Sequence, residues 1–242
     1  MKKAVILIAI ILFIDQFSKI WLKTHFELGQ EINVLGLDWF RIHFLENYGM
    51  AWGTEFGGKN GKFFLTLFRL FAITGIGYWL YKSVKNAAPK ILIIAIALIF
   101  AGALGNIVDS VFYGVIFGDS EGQVATFLPE EGGYGTLFHG KVVDMFYFPI
   151  IQNAELPSWI PAISFEWPSW LPFVGGSNFE LFVDRHFTFF QYIFNVADAA
   201  ITAGVMVLLL FNKRAFPKGE KENESKDFIE PPVVVKHYNK PK

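Results

Sequence analysis

Four long apolar runs mark the chain, at Ala4–Leu22, Phe63–Tyr81, Ile91–Phe112 and Phe190–Phe211. A helix needs about 20 apolar residues to cross the hydrocarbon core of a bilayer, so each run is long enough to span it. Between the first two runs, Ile32-Asn33-Val34-Leu35 and Trp39 to Leu45 alternate in polarity and are rich in β-branched and aromatic residues, with breaks at Gly36 and Gly49. That pattern predicts short strands in a small sheet on the outer membrane surface. A stretch of roughly 80 residues separates the last two runs, and insertions of that length are usually functional or mobile. It contains Pro157-Ser158-Trp159-Ile160-Pro161 and Pro168-Ser169-Trp170-Leu171-Pro172. The prolines exclude a continuous helix, while Trp159, Trp167 and Trp170 suit the headgroup layer. The stretch reads as a membrane-hugging flap or as an aromatic insertion packed on the scaffold.

Composition supports the membrane reading: 53% of residues are hydrophobic and mean hydropathy is +0.38, high for a soluble domain. The first run follows Lys2-Lys3 and could pass for a signal peptide. Its length, Asp15 and Lys19, and the lack of a small-x-small cleavage site favour an uncleaved span. Net charge is only −1, but its distribution is asymmetric. Lys2, Lys3, Lys82, Lys85, Lys90 and the basic tail from Lys213 fall on one side, whereas Ser110 to Phe189 carries nine acids against Lys141 and Arg185. The positive-inside rule then puts both termini in the cytoplasm and the acidic segment outside. From about Lys218 the chain is charged and aperiodic, which predicts a disordered cytoplasmic tail over 217–242. The absence of cysteine excludes disulfides, a thiol nucleophile and thiolate metal sites.

Polar side chains inside a span are costly and each needs a reason. The third run ends in Asn106-Ile107-Val108-Asp109 and the fourth contains Asn195-Val196-Ala197-Asp198, the same Asn-x-x-Asp spacing at the same external level. At about 1.5 Å per residue, Asp198 is expected roughly a third of the way into its helix. Gly102, Ala103, Gly105, Ala197, Ala199, Ala200, Ala203 and Gly204 surround these groups and permit close helix approach. A third acid, Asp144, lies in an apolar run (Val142 to Phe146) that returns to the membrane from outside. Asp15 and Lys19 stand i,i+4 and predict an internal ion pair. Two aspartates sharing a site titrate as a unit, one protonated and one charged. Such a pair can activate water and protonate a carbonyl, which is peptide hydrolysis without a metal or a covalent intermediate. His-Glu-x-x-His, Gly-x-Ser-x-Gly and glycine-rich phosphate motifs are all missing from the sequence, and the five histidines are scattered. Two other readings use the same acids: a proton- or ion-coupled transporter, and an assembly protein whose Asn/Asp groups only clasp helices. The residues alone do not choose between Asp109 and Asp144 as the companion of Asp198.

Five blocks in order resemble the lipoprotein signal peptidases (signal peptidase II): Asp15-Gln16-Phe17-Ser18-Lys19, Glu46 to Trp52, Gly102 to Asp109, Val142 to Phe146, and Phe194 to Asp198. The resemblance implies a membrane all-α fold with a small β part: four transmembrane helices, an external β-cradle at about 30–55 and an external insertion at about 113–189. These form one peptidase domain over 1–216. It implies a catalytic dyad of Asp144 and Asp198, with Asp109 in support. Asn106 and Asn195 would orient the dyad, Asn47 would bind the substrate backbone, and Asp15 and Lys19 would support the site. The implied reaction removes the signal peptide of a diacylglyceryl-modified prolipoprotein before the lipidated cysteine, in the bacterial inner membrane near its external face. The partners are then lipidated substrate and membrane lipid, with no cofactor, metal or nucleic acid. Two departures stand out. Ser110 occupies the place of the family's usual arginine, so a substrate-binding cation is missing or comes from Lys141 or Arg185. The stretch from Asp109 to Asp198 is also longer than is typical.

Overall fold

The computed structural model describes residues 2–47, 58–157, 159–161, 163–169, 178–181, 186–190 and 192–217. Tyr48 to Trp52 of the second motif block, Arg185, most of the second Pro-Ser-Trp segment and the tail beyond Pro217 lie outside them. The apolar runs form α1 (Lys2–Lys23), α2 (Gly58–Lys85) and α3 (Lys90–Val108). Beyond α3 the chain makes a π turn, Asp109–Tyr113, and a short last turn, α4 (Gly114–Ile116); α5 (Val196–Leu210) and α6 (Asn212–Ala215) follow much later. Among the described residues three stretches, Lys2–Lys23, Gly61–Lys85 and Lys90–Ile116, are long and apolar enough to cross a membrane. Their outward faces expose large apolar side chains such as Phe13, Phe17, Phe64, Phe68 and Phe71. A protein bathed in water rarely leaves so much apolar surface open; a lipid-facing one does.

The fourth run differs from its expected span of Phe190–Phe211. Its helix starts only at Val196 and has 15 residues, about 22 Å of rise against a core of about 30 Å. Ile193 and Phe194 are instead extended and paired in a sheet, and Asn195, with an extended backbone, caps the helix. Asp198 therefore sits in the first turn of α5 and not a third of the way along it.

The strands are β1 (Glu31–Asn33), β2 (Arg41–Asn47), β3 (Val142–Tyr147), β4 (Ile151–Glu155), β5 (Ile163–Glu166), β6 (Asn178–Leu181), β7 (His186–Phe189) and β8 (Ile193–Phe194). Four of them form one antiparallel sheet in the order β1-β2-β3-β8. The two strands expected between the first spans are thus half of a larger sheet. Strand β3 falls within the stretch expected as insertion, yet it is an inner strand of this sheet. The reason is burial: Val142, Val143, Asp144 and Met145 are all buried, and Phe44, Val143 and Met145 pack with Leu22, Phe26, Tyr113 and Phe117. A strand covered on both faces reads as a continuous apolar run, not an alternating one. Pairings β4·β7 and β5·β6 are nested and antiparallel, so 151–189 is a two-stranded ribbon in its described parts. Pro157, Pro161 and Pro168 all fall outside its strands, where no ladder N–H is needed.

Helices α3 and α5 pack at backbone distance. A Cβ on Gly102 would lie 2.2 Å from the Ala197 carbonyl oxygen, and one on Gly204 2.7 Å from the Ala95 oxygen. The small-residue stripe is what lets the helices meet. Gly102→Ala is accordingly expected to destabilise the protein by about 1–3 kcal/mol through overpacking. Gly75→Ala, whose added methyl meets nothing within 4 Å, is expected to leave the melting temperature in detergent unchanged or slightly raised.

Candidate active site

The carboxylates meet where the sheet touches the helices. Strand β3 delivers Asp144, and β8 feeds directly into Asn195 and the first turn of α5. Asn195 is the N-cap: its side-chain oxygen accepts from the Asp198 N–H at 2.9 Å, and its own backbone N–H donates to Asp198 Oδ2 at 3.3 Å. This reciprocal capping box orients both side chains with backbone geometry. With its oxygen committed, the Asn195 amide turns its Nδ2 toward Asp144 Oδ1 at 2.8 Å and the Val143 carbonyl at 3.1 Å. One asparagine thereby bridges the two aspartates.

Asn106 plays the matching part from α3. Lys19 Nζ donates to Asn106 Oδ1 at 2.9 Å, and Asn106 Nδ2 donates to Asp198 Oδ1 at 2.8 Å. An ammonium can only donate, so Lys19 dictates which end of the amide faces Asp198. Asn47 completes the set, its Nδ2 hydrogen-bonded to Asp144 Oδ2. The sheet register explains the reach: Asp144 pairs with Leu45 and Val142 with Asn47, which puts Asn47 and Asp144 diagonal on one face. Each aspartate thus receives an amide donor from a different asparagine.

Behind this layer lies a buried charge cluster. Lys19 is fully buried and pairs with Asp15 Oδ2 at 2.9 Å and Asp109 Oδ2 at 2.8 Å. Asp15 also accepts from the Ala197 backbone N–H at 2.9 Å, so α1 helps cap α5. Asp109 accepts from Gln16 Nε2 at 2.9 Å and from the Val143 N–H at 3.3 Å, which anchors β3 next to Asp144. The expected Asp15–Lys19 ion pair is present, and Asp109 stands one layer behind Asp144 and Asp198.

Asp144 is buried, whereas Asp198 is partly accessible. Burial first, then the negative charge of Asp198, push the Asp144 carboxyl up to about 7, against the opposing pull of Lys19, Asn195 and Asn47. Near neutral pH the buried member therefore holds a proton much of the time.

A family model for signal peptidase (SPase) II matches residues 7–213. The chain belongs to the signal peptidase II family. A lipoprotein signal peptidase of Porphyromonas gingivalis is 42% identical over 233 residues, covering 92% of both chains. One from Amoebophilus asiaticus is 32% identical over 205 residues, 84% of this chain and 73% of that protein. A solved bacterial membrane enzyme has the same fold, with a TM-score of 0.53 at 23% identity over 92% of this chain and 94% of its own. Membership of this family makes the chain a bacterial membrane peptidase and disfavours the transporter reading.

The structure also shows what the motifs left open. Ser110, at the place of the family arginine, is fully buried in the π turn. Lys141 is engaged elsewhere, 3.4 Å from Glu46 Oε2 and over the Tyr134 ring. Glu46 pairs with Lys23 too, and Ser120 Oγ donates to it at 3.0 Å. This second buried cluster ties α1, β2 and the segment after α4 together. Gln16, Lys62 and Arg69 were not singled out in the sequence. The signal was there, since a cation in the middle of an apolar run, as Arg69 is, demands a partner as much as an acid does.

Proposed function

We propose that this chain is an aspartyl endopeptidase that removes signal peptides from diacylglyceryl-modified prolipoproteins, cutting immediately before the lipidated cysteine. The observation that carries the reading is the Asn195 bridge: two aspartates on separate elements share one capping amide, one buried and one accessible. Asp198, charged, takes a proton from the attacking water. Asp144, protonated, gives its proton to the carbonyl oxygen as the tetrahedral intermediate forms. Collapse breaks the C–N bond, the proton held by Asp198 passes to the leaving nitrogen, and Asp144 regains its own. The products are a carboxylate on the signal peptide and a free amine on the lipidated cysteine. Asn106 and Asn195 hold the carboxylates, Asn47 binds substrate backbone, and Asp15, Lys19 and Asp109 support them.

The enzyme spans the inner membrane four times with both termini in the cytoplasm. Lys2, Lys3, Lys82, Lys85, Lys90, Lys213 and Arg214 then lie at the inner face. The fourth span starts at the depth of the site, with β8 and Asn195 completing the crossing toward the outside. A diacylated peptide enters sideways from the outer leaflet, its acyl chains never leaving lipid.

The test is a matched pair of prolipopeptides, with and without the diacylglyceryl group, given to purified enzyme in bilayer mimetics. The reading expects cleavage of the lipidated peptide alone, at the bond before cysteine by product mass. Equal cleavage of both peptides, or a cut elsewhere, would overturn it.

A further inference from the structure

Strand β2 carries Asn47 on one face and Glu46 on the other, since neighbouring residues of a strand point to opposite sides. Asn47 reaches Asp144, while Glu46 shares the buried side of the sheet with Phe44, Val143 and Met145. The end of β2 needs holding. The Phe44 N–H donates to the Gln30 carbonyl and the Phe44 carbonyl accepts from the Gly29 N–H, both at 2.9 Å. Beyond Phe44 the strand pairs, among the described residues, with β3 alone, and the register shifts between Ile42 and Leu45. A second tie comes from the Glu46 side chain, which is 1% exposed. Its Oε1 pairs with Lys23 of α1 and accepts from Ser120 Oγ at 3.0 Å, and Lys23 Nζ in turn donates to Ser120 Oγ at 2.8 Å. Its Oε2 lies 3.4 Å from Lys141 Nζ. Lys141 immediately precedes β3, and its backbone N–H donates to the Tyr134 hydroxyl at 2.6 Å. One carboxylate therefore ties the end of β2, which brings Asn47, and the start of β3, which brings Asp144, to the end of α1.

We propose that Glu46 is a positioning residue for the aspartate pair, holding Asn47 against Asp144 through its lock with Lys23, Ser120 and Lys141. This rests on the peptidase reading given above. Glu46 lies on the opposite face of the sheet from Asp144 and acts on it through Asn47. A donor works only where it is held, and about 1 Å of drift can cost about a hundredfold in rate. Stability alone does not account for the cluster. Two lysines meet one carboxylate, with Lys23 over the Tyr134 and Phe117 rings at 4.9 and 5.3 Å and Lys141 over Tyr134 at 5.4 Å. Buried ion pairs of this kind add little over apolar residues of like volume, and the use of this one is to fix a single arrangement. Asn47 in turn bears on the proton of Asp144, because an amide donor favours the charged carboxyl. The charged groups around Asp144 are Asp198 from α5 and Lys19 from α1, with Asp15 and Asp109 behind Lys19. Those around Glu46 are Lys23, Lys141 and Asp119.

The experiment removes the lock without stranding Lys23 or Glu46 as a lone buried charge. Full-length wild-type, Lys23→Met/Glu46→Met and Ser120→Ala enzymes are compared in one bilayer mimetic, each with and without Asn47→Ala, with a thermal melt of each. Single-turnover cleavage of a diacylated prolipopeptide is followed from pH 5 to 9. With Asn47 present, the paired Met change should lower the rate about tenfold with little change in the melt. Ser120→Ala, which removes one hydrogen-bonding partner, should lower it about threefold. The alkaline limb should move up by about half a pH unit in both, as Asn47 loosens its hold on Asp144. With Asn47→Ala in place, the same changes should cost less than about twofold and move no limb, because the residue they act through is gone. A wild-type rate and limb in the folded Met enzyme, or a loss as large without Asn47 as with it, would overturn the assignment. Ser120→Ala decides the question by the same criteria if the Met enzyme does not fold. Failure of the peptidase reading looks different: the wild-type enzyme itself would leave the lipidated substrate uncut.

Discussion

A Lys19→Met enzyme is expected to lose about 3–5 kcal/mol of stability, because the change strands two buried carboxylates. Lys19 is fully buried with Asp15 and Asp109 at 2.9 and 2.8 Å. Methionine fills much the same volume, so packing contributes little to the loss and charge contributes most. The damage would spread along a short path. Asp15 caps Ala197 at the start of α5, Asp109 holds the Val143 N–H, and the Asn106 amide takes its orientation from Lys19. A thermal melt in detergent reads the stability term. Cleavage measured well below the melting temperature reads the orientation term, since Asn106 could then turn its oxygen toward Asp198. Lys19→Arg should recover part of both, because it keeps the charge but not the length. A Met enzyme that melts with wild type would show the cluster to be dispensable.

The parts of the fold legible in the sequence were those written in long periodic runs. Three of the four apolar stretches became helices within a few residues of their expected ends. The fourth did not, because hydropathy is blind to the change from strand to helix inside one apolar run. Phe190 to Phe194 is largely apolar and aromatic despite Gln191, and what stops the helix is Asn195, whose capping oxygen is visible only as a preference. Strand β3 was hidden for a related reason. Its pairing strands lie about a hundred residues upstream and nearly fifty downstream, and a strand buried on both faces carries no alternation. The acids themselves stood out, because a carboxylate among apolar neighbours is conspicuous. Their connections did not. The Asn195 bridge joins residues 51 apart, and the twofold use of Asn-x-x-Asp, in the last turn of α3 at Asn106 and as a cap at Asn195, is invisible in spacing alone. The Lys23–Glu46–Ser120 cluster depends on the segment after α4 folding back on α1, for which the sequence holds no periodic signal.

Replacing either aspartate of the pair by asparagine should lower cleavage about a thousandfold or more, since a general acid and base acting together lose nearly everything when one is removed. The two replacements should leave the fold intact, as asparagine keeps the size and one of the two acceptor oxygens that each carboxylate uses. They should differ in pH dependence from the wild type in a defined way. Asp144, pushed up to about 7, holds its proton below that pH, so wild-type cleavage should decline as pH rises through about 7. The same shift bears on stability with the opposite sign from an ion-paired carboxylate. A raised carboxyl favours the folded state at low pH, and that contribution is lost as pH climbs from the ordinary carboxylate range near 4 to about 7. Removing the Asp198 charge takes away one cause of the shift. In Asp198→Asn, this pH-dependent loss of stability should therefore end at a lower pH than in the wild type.

The most direct measurement is the rate of signal-peptide release from a diacylated prolipopeptide by Asp144→Asn, Asp198→Asn and Asp109→Asn enzymes, each shown by its melt to be folded. The dyad account predicts near-complete loss in the first two, and in the third a smaller loss that tracks stability. Full cleavage by a folded Asp144→Asn or Asp198→Asn enzyme, or a loss in Asp109→Asn as deep as theirs with an unchanged melt, would contradict it.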